Sequence, residues 1–134
     1  MKMKTLFAAL CAVLSIQITK ADVIDEMLKT YQAAGAKDFT ASNGDALWRK
    51  TYPDPKEAGK TRGCATCHGE DLHAKGKHVT TGKAIEPMAP SVNKERFTDP
   101  KFIEKWFTRN CKWVLSRECT PQEKGDLLSY LRTQ

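Results

Sequence analysis

The run Cys64-Ala65-Thr66-Cys67-His68 contains the most specific chemistry in the chain. It reads Cys-x-x-Cys-His, the pattern by which a c-type haem is attached covalently. Two thiols at this spacing can each reach a vinyl group on one edge of the porphyrin. The histidine that follows can then place its imidazole under the iron as the proximal ligand. The run therefore predicts one covalent haem c, held by Cys64, Cys67 and His68.

Two other kinds of site also use a Cys-x-x-Cys pair. A zinc site needs a second pair of ligands at tight spacing, whereas Cys111 and Cys119 are eight residues apart. A thioredoxin-like dithiol follows a strand in an α/β pattern, and no strand is predicted before Cys64. Spacing and context both favour haem attachment.

Residues 1–21 have the features of a secretory signal peptide. Two lysines give a positive start, the stretch from Leu6 to Ile18 is mostly apolar, and Thr19-Lys20-Ala21 offers small residues at the positions that signal peptidase reads. The apolar stretch is too short to span a bilayer unaided. We expect cleavage after Ala21, loss of Cys11 with the signal, and export to the periplasm.

Removal of this segment changes the charge and the cysteine count. The 134 residues include 22 Lys and Arg and 16 Asp and Glu, a net charge of +6. The predicted signal contains three of the lysines and none of the acids, so residues 22–134 carry +3. This charge is weak support for nucleic-acid or membrane binding, and no nucleic-acid partner is predicted. In an oxidising compartment, the remaining cysteines, Cys111 and Cys119, are expected to form a disulfide.

Hydrophobic periodicity and capping residues predict helices throughout and a single domain. The stretch from Thr80 to Val92 contains two prolines and is predicted to be a loop. The predicted helices are Asp22 to Ala34, with Val23, Ile24, Met27, Leu28 and Tyr31 on one face; Gly44 to about Tyr52, capped by Ser42 or Asn43; a helix opened by Asp99 and Pro100; and a C-terminal helix opened by the capping box Thr120-Pro121-Gln122-Glu123, with Leu127, Leu128, Tyr130 and Leu131 on its apolar face.

This layout resembles the class I cytochrome c fold, in which a helix before the haem motif crosses the C-terminal helix. In that family, a glycine and an aromatic residue one turn later pack against an aromatic residue of the last helix. Gly44 and Trp48 fit the first pair, and Tyr130 fits the last position. The fold class expected is all-α, a class I cytochrome c fold with residues 22–42 as an N-terminal helical extension.

The iron also needs a distal ligand or an open position, and the loop after the motif offers three candidates. An ordinary electron carrier would use Met88, which lies in a proline-rich loop only twenty residues past His68. That is a short path around a haem, and methionine is more often a core filler. His73 and His78 are closer still and are expected to be solvated loop histidines.

Asn110 is the fourth candidate. Ile103, Trp106, Phe107 and Asn110 follow the spacing i, i+3, i+4 and i+7, a single apolar helical stripe. An asparagine at the end of that stripe is expected to face the core and the haem. The alternative is a C-cap, because asparagine tolerates the left-handed region where a helix ends.

Several segments resemble the sphaeroides haem protein family, small oxygen-binding class I c-type cytochromes. These are Arg109-Asn110-Cys111, the run from Ser116 to Lys124, Gly82-Lys83-Ala84-Ile85 and Ala89-Pro90-Ser91. The resemblance implies that Asn110 ligates ferric iron and leaves on reduction, and that Cys111 and Cys119 form a disulfide. It also implies a dihaem cytochrome c and a membrane cytochrome b as partners.

Two functions therefore stay open. The first is a haem protein that binds O₂ or NO at the iron once reduction has released Asn110, with turnover as a terminal oxidase or reductase a further possibility. The second is a simple His/Met electron carrier using Met88. A neutral amide suits ferric iron better than the softer ferrous ion, which favours the first.

Overall fold

A computed structural model describes residues 20–134, with side chains described from residue 23 onward. The predicted signal peptide therefore lies outside the described residues, apart from the backbone of its last two. No helix within the described part of the chain is long and apolar enough to cross a membrane. The helices are α1 (Lys20–Ala33), α2 (Ala41–Arg49), α3 (Cys64–His68), α4 (Pro100–Leu115) and α5 (Pro121–Leu131).

The prediction of a purely helical chain is wrong in one respect. Two antiparallel ladders of two-residue strands flank α3, one in the segment before it and one in the segment after it. Strand β1 (Tyr52–Pro53) pairs with β2 (Thr61–Arg62), and β3 (Gly76–Lys77) pairs with β4 (Ala84–Ile85). The fold is therefore mainly helical, and most of the predicted loop from residue 80 to 92 is irregular.

Helix α2 begins earlier than the sequence suggested. Its N-cap is Thr40, whose side chain accepts a hydrogen bond from the backbone N–H of Asn43, so the prediction of Ser42 or Asn43 as cap is wrong. The backbone N–H of Thr40 also donates to Asp126 Oδ1 of α5 at 2.8 Å. This tertiary hydrogen bond fixes the helix start, and the helix ends at Arg49 rather than near Tyr52.

The starts of α4 and α5 agree with the predictions. Asp99 accepts hydrogen bonds from the backbone N–H groups of Lys101 and Phe102, and a proline occupies the first turn. At α5, Thr120 and Glu123 form the predicted capping box. These caps satisfy backbone donors that the first turn of a helix leaves unpaired.

The central packing is the crossing of α2 over α5. A Cβ built on Gly44 would lie 2.5 Å from Tyr130 Cβ and closer still to the carbonyl oxygen of Asp126, so only glycine fits between the helices. One turn later the Trp48 ring lies 6.3 Å from the Tyr130 ring, centroid to centroid. The predicted set of Gly44, Trp48 and Tyr130 is confirmed.

We expect Gly44→Ala to lower the free energy of unfolding by about 1–3 kcal/mol, the usual effect of overpacking. The added methyl group meets backbone atoms of α5, which cannot turn aside as a flexible side chain could. Urea denaturation measures the loss, with Ser42→Ala at an exposed position of the same helix as the control. A Gly44→Ala protein as stable as the parent would contradict the close crossing.

The N-terminal extension is part of the same core. Four residues of α1 are buried, and Leu28 packs against them, as the predicted apolar face requires; the four are Val23, Ile24, Met27 and Tyr31. The Tyr31 hydroxyl donates to Glu104 of α4, and the Lys124 ammonium of α5 lies 2.7 Å from the other oxygen of the same carboxylate. Helix α1 is thus tied to both of the last two helices.

Candidate functional site

Helix α3 presents the three predicted haem-binding side chains on one face. Cys64, Cys67 and His68 occupy positions i, i+3 and i+4 of this single turn, which lie on the same side of a helix. Both thiols are unpaired and half-buried. The turn is held by Thr66, whose hydroxyl accepts a hydrogen bond from Gly63 N–H at 2.9 Å.

The imidazole of His68 is in the form that binds metal ions. Burial, together with the nearby positive charge of Arg96, lowers the pKa of His68 to about 4, so the ring is neutral at pH 7. Its Nδ1 is buried with no hydrogen-bond partner in the described part of the chain. A buried, unpartnered ring nitrogen costs free energy unless a bound group compensates for it.

Neighbouring segments hold the end of α3 from two sides. Trp48 Nε1 donates to the Gly69 carbonyl at 3.2 Å, and the Trp48 ring lies 5.5 Å from the His68 ring. On another side, Gly76 of strand β3 packs on the backbone of Cys67 and His68, where an added Cβ would lie 2.8 Å from His68 Cα. The core helix α2 and the β3–β4 hairpin therefore position His68.

Sequence reasoning missed a buried ion pair just before the motif. Arg62 donates from Nε and from one terminal nitrogen to the two carboxylate oxygens of Asp54, at 2.6 and 2.7 Å, and both side chains are nearly inaccessible to solvent. The guanidinium holds the pKa of Asp54 below its usual value. Arg62 also donates to the Trp113 carbonyl at 3.1 Å and lies 4.9 Å from the Trp113 ring. This link joins the entry to α3 with α4, and no spacing in the sequence signals it.

Asn110 lies inside α4, so the C-cap alternative is wrong. The helix continues to Leu115, and its C-cap is Ser116, in the left-handed conformation with φ of 58°. The side chain of Asn110 is exposed, whereas Ile103 of the same stripe is buried and Phe107 is half-buried. The expectation that Asn110 faces the protein core is therefore wrong. The Asn110 side chain lies at the exposed edge of the stripe, where a group bound at that edge can contact it.

The structure contains the predicted disulfide. Cys111 and Cys119 are joined with their Cα atoms 5.5 Å apart. The bridge connects α4, one residue after Asn110, to the segment that leads into α5. Both sulfurs are therefore occupied and cannot serve as the second ligand pair of a zinc site.

The other candidates for the distal position are placed differently. Met88 is half-buried against the core, and its backbone N–H donates to the Leu72 carbonyl at 3.0 Å. His73 and His78 are exposed, as predicted. His78 Nδ1 accepts hydrogen bonds from the backbone N–H groups that follow it, so this nitrogen is used within its own turn.

The residues present fit a haem. Two free thiols and a neutral imidazole provide the tether and one nitrogen ligand on a single helical face. Elsewhere in the described chain, four large apolar side chains are 40–54% exposed: Val79, Val92, Phe102 and Trp106. An apolar porphyrin can cover side chains of this kind. Phe102 and Trp106 contact each other edge to face, with centroids 6.0 Å apart.

Comparison with known proteins identifies the family of the chain. Residues 34–131 match the family model described as a domain of unknown function (DUF1924), so the chain belongs to that family. Over 131 residues the chain is 41% identical to the cytochrome c-type protein SHP of Cereibacter sphaeroides, covering 97% of this chain and 99% of that protein. The chain belongs to the sphaeroides haem protein family. The family resemblance inferred from the sequence is confirmed.

Solved structures of similar proteins identify the fold of this member of the sphaeroides haem protein family. The structure of oxidized SHP, described as an oxygen-binding cytochrome c, has a TM-score of 0.73 and covers 83% of this chain and 96% of that one. The crystal structure of oxidized cytochrome c'' from Methylophilus methylotrophus is 31% identical, with a TM-score of 0.72, and covers 84% and 94%. By sequence, cytochrome c'' is 38% identical over 93 residues, 69% of this chain and 63% of that protein. The chain is a haem cytochrome with a mainly helical cytochrome c fold.

Proposed function

We propose that this protein is a class I c-type cytochrome with one haem c, covalently bound by Cys64 and Cys67 and ligated by His68. In this proposal the iron binds O₂, NO or a similar diatomic ligand after reduction releases Asn110. The observation that carries the proposal is the neutral, half-buried imidazole of His68, whose Nδ1 is buried without a hydrogen-bond partner in the described residues, on the same helical face as two free thiols. The oxygen-binding description of SHP, a relative 41% identical, supports it.

The division of roles follows from the site. When bound, the haem supplies an iron that changes oxidation state and binds diatomic ligands. Cys64 and Cys67 tether it through thioether bonds. His68 would ligate the iron; its ring packs against Trp48 and its backbone against Gly76. These contacts leave the proximal side little freedom to move, so ligand exchange is assigned to the opposite side.

Asn110 suits the exchangeable position. Its amide oxygen is a hard, neutral donor that holds ferric iron better than ferrous iron, so reduction weakens the bond. The backbone beside it is held by the Cys111–Cys119 disulfide and by the hydrogen bond from Arg62 to the Trp113 carbonyl. With the helix held in this way, release of the iron is a rotation of one exposed side chain rather than a local unfolding.

We expect reduction of the Cys111–Cys119 disulfide to raise the high-spin fraction of the ferric protein and to leave haem content unchanged. Without the bridge, the segment after Asn110 loses one of its two restraints, so the amide binds iron with poorer geometry. The measurement is the ferric absorption spectrum of Cys111→Ser/Cys119→Ser against that of the parent. An unchanged low-spin spectrum would show that the bridge does not position Asn110.

The predicted signal peptide and the disulfide support a periplasmic location, because disulfides persist in oxidising compartments. By family resemblance, we propose a dihaem cytochrome c and a membrane cytochrome b as redox partners. The bound gas would then either be reduced with electrons from those partners or be held without turnover. Consumption of O₂ in the presence of an electron donor distinguishes these two outcomes.

The second candidate function, electron transfer with Met88 as ligand, has one feature in its favour, the half-burial of Met88 beside the core. However, the hydrogen bond from Met88 N–H to Leu72 holds it against the segment that directly follows His68. A distal ligand must reach the opposite face of the haem from His68. The anchoring therefore favours Asn110.

Absorption spectra of the oxidised and dithionite-reduced holoprotein test the proposed function. A gas-binding protein of this type is low-spin with six ligands when oxidised and high-spin with five when reduced, and then binds CO rapidly. A protein that stays low-spin in both states and binds CO slowly is a His/Met carrier, and that result would overturn the proposal.

A further inference from the structure

Three aromatic rings contact one another in a chain that starts at the proposed proximal ligand. The Trp48 ring of α2 lies 5.5 Å from the His68 ring and 6.3 Å from the Tyr130 ring of α5, centroid to centroid. Trp48 and Tyr130 are only 3% and 7% exposed, so water reaches little of either ring. These contacts connect the haem-binding turn α3 with α5 through the protein interior.

The Tyr130 end of this chain has a proton acceptor that is open to water. Burial, together with a hydrogen bond to the Asp45 carboxylate, raises the pKa of Tyr130 above its usual value, so the hydroxyl is protonated at pH 7. The Asp45 side chain is 40% exposed and lies 2.8 Å from Nε of Arg49. A proton that leaves the Tyr130 hydroxyl can therefore pass to Asp45 and on to water.

Of the three tryptophans in the chain, Trp48 is the one best placed to lose an electron to the haem site. The Arg62 guanidinium lies 4.9 Å from the centre of the Trp113 ring, and the Arg109 guanidinium lies 5.5 Å from the centre of the Trp106 ring. Because like charges repel, a cation beside a ring opposes removal of an electron from that ring. In the described part of the chain, no Lys or Arg lies over the Trp48 ring, and Trp48 is the tryptophan in ring contact with the proposed proximal ligand.

We propose that Trp48 and Tyr130 supply electrons to the haem when it reacts with hydrogen peroxide, and so carry the oxidising equivalent away from the porphyrin. This rests on the proposed function. A ferrous haem that binds O₂ can lose an electron to it, and the superoxide released disproportionates to O₂ and hydrogen peroxide. Trp48 then gives one electron towards His68 and the haem. Tyr130 replaces that electron and gives its hydroxyl proton to Asp45, which leaves a neutral tyrosyl radical.

Two such transfers balance the reaction of one peroxide molecule. Hydrogen peroxide gains two electrons and two protons, its O–O bond breaks, and two molecules of water form. Each transfer supplies one electron through Trp48 and releases one proton from Tyr130 through Asp45 to water. After each transfer, a small reductant such as ascorbate returns one hydrogen atom to the Tyr130 radical. The protein is thereby restored to its starting state.

Packing alone accounts for the Tyr130 ring but does not require its hydroxyl group. The crossing of α2 over α5 places the Tyr130 side chain against Gly44 and Trp48, and a phenylalanine ring would fill the same space. The proposed electron transfer needs the hydroxyl, because a neutral radical forms only when the proton leaves. Tyr130→Phe therefore separates the two roles, since it keeps the ring and removes the O–H group.

The test mixes the ferric holoprotein with hydrogen peroxide, freezes the sample and records its electron paramagnetic resonance spectrum. We expect a tyrosyl radical signal in the parent and loss of that signal in Tyr130→Phe and in Trp48→Phe, with more haem bleached per peroxide added. The control is Tyr31→Phe, which removes another buried tyrosine hydroxyl that donates to a carboxylate, that of Glu104. Within residues 23–134, the Tyr31 ring contacts neither the Trp48 ring nor the imidazole, so the control should keep the signal of the parent.

Three results would each overturn the proposal. The first is a parent protein that forms no tyrosyl radical with peroxide, and the second is a Tyr130→Phe protein with the full signal of the parent, which would place the radical elsewhere. The third is an undiminished signal in Trp48→Phe, which would show that the electron bypasses Trp48. The spin state and CO binding of the dithionite-reduced protein test the proposed function separately, because neither involves peroxide.

Discussion

Without the haem tether, we expect no stable folded protein to accumulate. In Cys64→Ala/Cys67→Ala, and in His68→Ala, the small core loses the group that covers exposed apolar side chains. A domain of this size buries too little surface of its own to tolerate that loss. The measurements are covalent haem content by spectroscopy and helix content by circular dichroism.

His73→Ala is the matched control, because it removes an exposed histidine of the loop that follows the motif and leaves α3 intact. We expect haem content and helix content of His73→Ala to equal those of the parent. A soluble His68→Ala apoprotein with the helix content of the parent would contradict the role given to the haem in the fold.

The second large effect is expected at the distal side. In Asn110→Ala, the ferric iron loses its only proposed ligand from α4, so the ferric spectrum should change from low-spin to high-spin. Loss of a ligand that favours the ferric state should also raise the reduction potential. Each tenfold loss of ferric stabilisation corresponds to about 59 mV for one electron. Optical redox titration measures both quantities on one sample.

Met88→Ala separates the two proposed functions. Met88 packs against the core and its backbone is anchored to Leu72, so its truncation should lower stability but leave the low-spin ferric spectrum intact. If Met88→Ala, and not Asn110→Ala, destroys that spectrum, the protein is a His/Met electron carrier.

The parts of the fold that follow from local chemistry could be read from the sequence. The caps of α4 and α5 are set by neighbours within three residues, and their prediction is confirmed. The start of α2 is different, because Thr40, Ser42 and Asn43 are all acceptable caps and the choice is fixed by Asp126, 86 residues away. Strands of two residues show no alternation of polar and apolar side chains, so their pairing could not be predicted.

The same division applies to the candidate site. Cys64, Cys67 and His68 act through spacing along one turn, which a sequence displays directly. The supports of that turn, such as Gly76 against His68 and Arg62 against Trp113, come from segments without a fixed separation. For Asn110, the apolar stripe correctly predicted that the residue lies within a helix, but it did not predict that the side chain is exposed. Periodicity alone does not say where the core ends.

The partial burial of Cys64 has a consequence for the order of events during biosynthesis. Burial raises the pKa of the Cys64 thiol to about 11, so in the folded chain almost none of it is the reactive thiolate at neutral pH. The packing of α2 on α5 must also wait until α5 has been synthesised. On the proposed attachment chemistry, the interval before that meeting is when the thiols are accessible, so the cofactor is joined to an open chain that then closes around it.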